Sequence, residues 1–176
     1  MIERKEALCY SALDGKKVQC SLCPHNCVLD VGYRGVCQVR KNVDGKLVSL
    51  AYGLISSIRF DPIEKKPLYH FNPGKQILSV GGYGCNLRCM FCQNHAISQV
   101  CDVELPNDKV YSPENIIEIH QRSSDSCGIA FTYNEPTVNF EFVLDTAMLA
   151  SQNHIPVILV TNGYISSMAL DMLLPY

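Results

Sequence analysis

At 176 residues the chain is long enough for one ordinary domain with a sizeable core, and 47% apolar against 18% charged residues exclude a disordered polymer. A net charge of −2 supplies no bulk attraction to nucleic acid or to an anionic membrane surface. No apolar run approaches the roughly 20 residues a spanning helix needs, and the charged start Met1-Ile2-Glu3-Arg4-Lys5-Glu6 lacks a signal peptide's apolar stretch, so a cytoplasmic location is expected.

Residues 1–75 read as a loop-rich segment built around Cys20, Cys23, Cys27 and Cys37. Residues 36–43 and 46–50 alternate apolar and polar side chains around Asp44-Gly45, a favoured two-residue turn, which predicts a β-hairpin. Residues 61–74, with prolines, glycines and charges, predict an extended linker wrapping a surface. From residue 76 to 176 the pattern changes to alternating strands and helices. Residues 76–80 predict a strand running into Gly81-Gly82-Tyr83-Gly84 and a second group, Cys85, Cys89 and Cys92. Ser112-Pro113 starts a helix that reaches about Arg122, with serine as N-cap and proline at the first helical position. Residues 128–133 predict a buried strand. Thr137 is expected to cap a helix to about Gln152 that turns Phe140, Val143, Leu144, Ala147 and Met148 to one face. Residues 156–161 predict a third strand, and Ser166 caps a last helix ending near Pro175.

Apolar strands separated by helices predict an α/β fold with a parallel sheet and right-handed crossovers. In such folds the working residues gather at the carboxyl ends of the strands. The sequence sets Cys85–Cys92, Asn134-Glu135-Pro136 and Asn162-Gly163 after the three strands in turn, so three loops are expected to meet at one edge. The chain stops at Tyr176, where a fourth strand is expected and an unpaired edge would be left. The expectation is about half of a larger barrel, cut short by truncation, a split gene or an incomplete reading frame.

In a reducing compartment ten cysteines are better explained by metal than by disulfides. Cys85-x3-Cys89-x2-Cys92 offers three thiolates, enough for three irons of a [4Fe–4S] cube with the fourth left open. Zinc is the competing reading, since His95 would complete a fourth ligand. Cys20-x2-Cys23-x3-Cys27-x9-Cys37 supplies four thiolates, sufficient for a zinc site or a second, fully ligated cluster; a structural staple is favoured slightly over an electron relay. His25 is read as a surface imidazole, and Cys9, Cys101, Cys127, His70, His120 and His154 carry no assigned function.

The string Gly84-Cys85-Asn86-Leu87-Arg88-Cys89-Met90-Phe91-Cys92-Gln93-Asn94, with an aromatic before the last cysteine, resembles the radical S-adenosylmethionine (SAM) superfamily and its glycyl-radical-activase branch. The strings at residues 22–25, 34–37, 61–68 and 131–137 are similar to the AmmeMemoRadiSam system radical enzymes, homologues of pyruvate formate-lyase activating enzyme. The resemblance implies the N-terminal part of a partial (β/α) TIM barrel of radical SAM type, preceded by the cysteine-containing segment. It implies an oxidoreductase-like enzyme with a [4Fe–4S] cluster on Cys85, Cys89 and Cys92 and SAM on the open iron. Reductive cleavage of SAM would give a 5′-deoxyadenosyl radical for hydrogen abstraction. Phe91 would lie by the adenine, and Glu135 would accept from the methionyl ammonium. Asn162 would touch the ribose or carboxylate, or merely form an Asx turn with Gly163. Tyr133-Asn134 stands where the superfamily usually has two glycines. The implied partners are a flavodoxin or ferredoxin reductant and either the system's other proteins or a glycyl-radical enzyme, with no membrane or nucleic acid. The alternative is a truncated, non-catalytic iron–sulfur or zinc module.

Overall fold

The change of pattern near residue 76 coincides with a change of sheet type. The computed structural model describes residues 5–100 and 110–176, so Cys101 lies outside the described residues. Before residue 57 the strands are short and pair antiparallel. β2 (Tyr10–Ala12), β3 (Val18–Cys20) and β4 (Val28–Leu29) form one small sheet. β1 (Lys5–Glu6), β6 (Lys46–Ser49) and β5 (Arg40–Val43) form a second.

The hairpin forms where it was expected, with Val43 opposite Lys46. Asp44 and Gly45 both take positive φ, 51° and 89°, which a two-residue turn between right-twisted strands requires. Its first strand begins at Arg40 and not at residue 36, because Gln38 donates to the Gly35 carbonyl at 2.9 Å and closes a separate turn. Val18, Leu22, Leu29 and Leu47 are buried and continue the main core, so this segment packs better than its loop-rich composition suggests.

The later strands make one four-stranded sheet in the order β10-β9-β8-β7. β8 (Gln76–Gly81), β9 (Ser126–Phe131) and β10 (Val157–Leu159) run parallel, as expected. β7 (Ser57–Pro62) was not foreseen; it pairs antiparallel along all of β8, from Ser57 opposite Gly81 to Pro62 opposite Gln76. Asp61 and Pro62 therefore belong to a strand, and the expected linker is reduced to residues 63–74, opening with a 3₁₀ turn at Ile63–Lys65. Among the described residues the sheet is open, with β7 at one edge and β10 at the other.

Alternation sorts the strand residues onto two faces. Leu78, Val80, Ile129 and Phe131 join the core formed with α2 (Pro113–Gln121) and α3 (Phe140–Gln152). Ile77 and Ala130 lie on the other face, covered by Ile63 with Leu68 and Phe71. Ser112 caps α2 through its hydroxyl, and Asn115 returns the bond to the Ser112 amide. Ser166 caps α4 (Ser167–Leu173) in the same way, accepting from Ala169 at 3.3 Å. Thr137 does not cap α3. It lies inside a 3₁₀ turn, Pro136–Asn139, and α3 begins only at Phe140. Met148 departs from the expected apolar face and is 38% exposed. Among the described residues no helix is long and apolar enough to cross a membrane.

Candidate functional site

The three loops that leave β8, β9 and β10 meet at the carboxyl edge of the sheet. The first is shaped by Gly84, whose φ of +84° suits glycine. A Cβ there would also stand 2.6 Å from Val39 Cγ1 and 2.7 Å from the Cys37 carbonyl. The close approach presses the loop onto the cysteine-containing segment. Gly84 donates to the Ile97 carbonyl at 2.9 Å, which closes residues 84–97 around Cys85, Cys89 and Cys92. α1 (His95–Ser98) ends this excursion and brings Ser98 Oγ within 3.2 Å of Cys92 Sγ. His95 is exposed on this short helix.

The three thiols are half-buried and unpaired. Burial pushes the Cys85 thiol up, with the Glu135 carboxylate and the neighbouring thiols adding to it, against a 3.4 Å hydrogen bond from the Leu87 amide. Cationic iron would reverse that balance and hold the thiolate. Among the described residues no three His, Cys, Asp or Glu side chains lie close enough together to hold a single metal ion. Three soft thiols on one glycine-shaped loop suit iron–sulfur ligation with one iron position left to another ligand. Met90 and Phe91 stand at the tip, Phe91 90% exposed, so the aromatic expected beside an adenine projects into solvent.

Glu135 is not the exposed acid of an ordinary turn. It is 3% exposed and binds four of the chain's own donors. Oε1 accepts from the Thr137 amide at 3.0 Å, from the Thr161 hydroxyl at 2.7 Å, and from the Thr137 hydroxyl. Oε2 accepts from the Asn162 amide at 2.8 Å. The carboxylate thus ties the exit of β9 to the exit of β10. Asn162 adopts the Asx turn that was one of its two readings, its Oδ1 accepting from the Tyr164 amide at 2.8 Å. Its Nδ2 faces the cysteine loop, donating to Asn86 Oδ1 at 3.0 Å and lying 3.9 Å from Cys85 Sγ.

Several asparagines that the motif reading passed over organise this edge. Asn86, 2% exposed, donates to the Tyr164 carbonyl at 2.7 Å. Asn134 accepts from the Gly82 amide at 2.8 Å and donates to the Gly84 carbonyl at 3.0 Å. Asn94 donates to the Tyr133 carbonyl at 2.8 Å. Asn86 and Asn94 lie inside the cysteine string and Asn134 beside Glu135, so proximity to the motifs was the available signal. Below them Asp61 accepts from Lys65, Lys66 and Tyr133. Burial alone would raise the Asp61 carboxyl, but these donors together hold it well below the usual carboxylate range. Tyr133 takes a φ of +75°, so the residue standing in place of glycine keeps a glycine-like backbone.

The first cysteine group lies immediately behind the loop. Cys20, Cys23, Cys27 and Cys37 ring one small cavity, and burial pushes the Cys37 thiol up to about 12. His25 is exposed, as expected, but not free: its Nε2 is 2.8 Å from the Asn86 carbonyl and its ring meets Tyr164 edge-on.

The chain is 44% identical over 169 residues to the uncharacterized protein MJ0808 of Methanocaldococcus jannaschii, covering 96% of this chain and 50% of that protein. It is 34% identical over 93 residues to the uncharacterized protein MJ0674 of the same organism, covering 51% of this chain and 27% of that one. The chain therefore spans half the length, or less, of these relatives. The family model of the radical SAM superfamily matches residues 79–175, from within β8 through all three loops. The chain belongs to the radical SAM superfamily.

Proposed function

We propose that this chain forms the cofactor-binding part of a radical SAM enzyme, with Cys85, Cys89 and Cys92 ligating a [4Fe–4S] cluster and SAM chelating the open iron. The observation that carries the reading is the meeting of the three-cysteine loop with Glu135 and Asn162 at one sheet edge. When bound and reduced, the cluster supplies the electron that breaks the C5′–S bond of SAM. Reduction calls for a one-electron donor of ferredoxin or flavodoxin type.

The chain's own residues position the cofactor. Asn86, Asn162 and Gly84 fix the direction of the cysteine loop. Glu135 Oε2 carries one internal donor, so it retains acceptor capacity for the methionyl ammonium. Phe91, exposed at the tip, would lie by the adenine. The parallel order of β8, β9 and β10 supports reading the sheet as the start of a partial (β/α) barrel. The strings at residues 22–25, 34–37 and 61–68 support the AmmeMemoRadiSam branch.

Anaerobic reconstitution with iron and sulfide tests this. A brown, EPR-active cluster is expected, its spectrum changing when SAM is added. Dithionite should then yield 5′-deoxyadenosine, and Cys89→Ala should abolish the SAM-sensitive signal and the product together. A folded chain that takes up no cluster would overturn the assignment, and a SAM-insensitive cluster would overturn the cofactor role.

A further inference from the structure

The four thiols of the N-terminal segment are brought together by three separate local devices. The Cys20 amide donates to the Cys27 carbonyl at 2.9 Å, closing the chain between them into a loop. Within it the Asn26 amide donates to the Cys23 carbonyl at 3.1 Å, and Asn26 takes a φ of 46°. The turn from Gly35 to Gln38 then carries Cys37 back to the same place. A Cβ on Gly35 would stand 3.7 Å from Cys27 Sγ and 3.8 Å from Cys37 Sγ, so these sulfurs flank one point. All four cysteines line an enclosed cavity of about 20 Å³.

Burial pushes the Cys20 and Cys37 thiols up, and nearby donors offset that only in part. The backbone amides of Leu22 and Val39, each two residues on, donate to the sulfurs of Cys20 and Cys37. Arg40 lines the same cavity, is 1% exposed, and its Nε has no hydrogen-bond partner among the described residues. A buried donor left without a partner is destabilising. Four sulfurs thus ring one cavity beside Arg40, whose charge is paired with Glu141 and whose Nε–H is still without an acceptor among the described residues.

We propose that Cys20, Cys23, Cys27 and Cys37 hold a second, closed metal centre, zinc or an iron–sulfur cluster, that props the cysteine loop of the first. Four protein thiolates leave no open position for substrate, which is the signature of a structural site. Loading forms metal–sulfur bonds and releases thiol protons to solvent, with no change of oxidation state in the chain. The sulfurs ring the cavity without being drawn to the spacing of one ion, so zinc binding would contract them, whereas a cluster, larger than a cavity of about 20 Å³, would spread them. The prop is direct. His25 reaches the Asn86 carbonyl at 2.8 Å, the Ser166 amide donates to the Leu22 carbonyl at 2.9 Å, and Gly84 rests on Val39 and Cys37.

The test uses the full chain with Cys85, Cys89 and Cys92 all replaced by alanine, so that failure of the first site cannot be confused with failure of this one. After exposure to zinc, or anaerobically to iron and sulfide, and desalting, about one zinc or one cluster per chain should remain. Metal analysis and visible absorption separate the two. A variant that is folded by circular dichroism but retains neither metal overturns the proposal. In the unsubstituted chain, metal should protect these four cysteines from alkylation in peptide maps; equal labelling with and without metal also overturns it. Cys20→Ser with Cys37→Ser should lower cluster loading at Cys85–Cys92 several-fold, and unchanged loading would refute the propping role.

Discussion

Glu135 divides its carboxylate between the chain and the cofactor proposed for it. The backbone amides of Thr137 and Asn162 sit on different oxygens, Oε1 and Oε2. A glutamine has only one acceptor atom, so Glu135→Gln strands either the buried Thr137 amide or the part-buried Asn162 amide. The expected cost is about 1–3 kcal/mol of stability, read by chemical denaturation. Loss of the charge should also raise the dissociation constant for SAM about tenfold in reconstituted protein, measured by calorimetry. A fall in stability without a change in affinity would leave Glu135 as a brace alone. Its importance was legible only in part. Asn-Glu-Pro before a helix reads equally well as a solvated turn, and only burial by Thr161 and Asn162 distinguishes the two.

Among the elements, the strongest link runs from β5 to α3. Arg40 Nη1 and Nη2 meet Glu141 Oε2 and Oε1 at 3.1 and 2.8 Å, and both side chains are almost fully buried. The pair also takes the Leu8 backbone: Arg40 Nη2 donates to its carbonyl at 2.7 Å, and its amide donates to Glu141 Oε1 at 2.7 Å. This clamp holds the small N-terminal sheets against the helix layer. Glu141→Ala leaves a buried guanidinium without its counter-ion and should cost about 3–5 kcal/mol in denaturant unfolding. Arg40→Met combined with Glu141→Leu should recover most of that loss, because two apolar side chains of similar size remove both charges. An unchanged midpoint for Glu141→Ala would refute the clamp. Nothing in the local sequence announces the pair, since its members are 101 residues apart. The hairpin at Asp44-Gly45, the cap at Ser112 and the cap at Ser166 are the opposite case: each depends on residues within four positions, and each was legible.

At the scale of the whole molecule, two buried groups set the response to acid. Both ring nitrogens of His120, on α2, are buried without a hydrogen-bond partner among the described residues, and burial lowers the pKa of the ring. The folded state therefore holds His120 neutral while the unfolded chain protonates near the ordinary value of about 6.5. Stability is complete above that value and is lost as pH falls from there toward the depressed folded pKa. Denaturation midpoints should drop between about pH 7 and pH 5, and His120→Phe should flatten the profile over that window. Parallel profiles for the two proteins would exclude this role. Asp61, held low by Lys65, Lys66 and Tyr133, acts in the same direction at more acid pH, its contribution lost as pH falls below the ordinary carboxylate range.

The sequence by itself determined what depends on short separations: the strand periods, the caps, the hairpin turn and the cysteine spacings. The order of strands and helices was also enough to place three loops at one edge, because parallel crossovers leave no other arrangement. Tertiary structure decided the rest. β7 became a strand because β8 offered it a free edge, and the spacing of prolines and charges around Asp61 carried no sign of that pairing. The two cysteine groups, separated by nearly fifty residues between Cys37 and Cys85, came into contact through Gly84 pressing on Val39 and Cys37 and through His25 on the Asn86 carbonyl. Local sequence fixes torsions and periods, whereas contacts between distant segments depend on which buried surfaces and unpaired donors find one another when the chain closes.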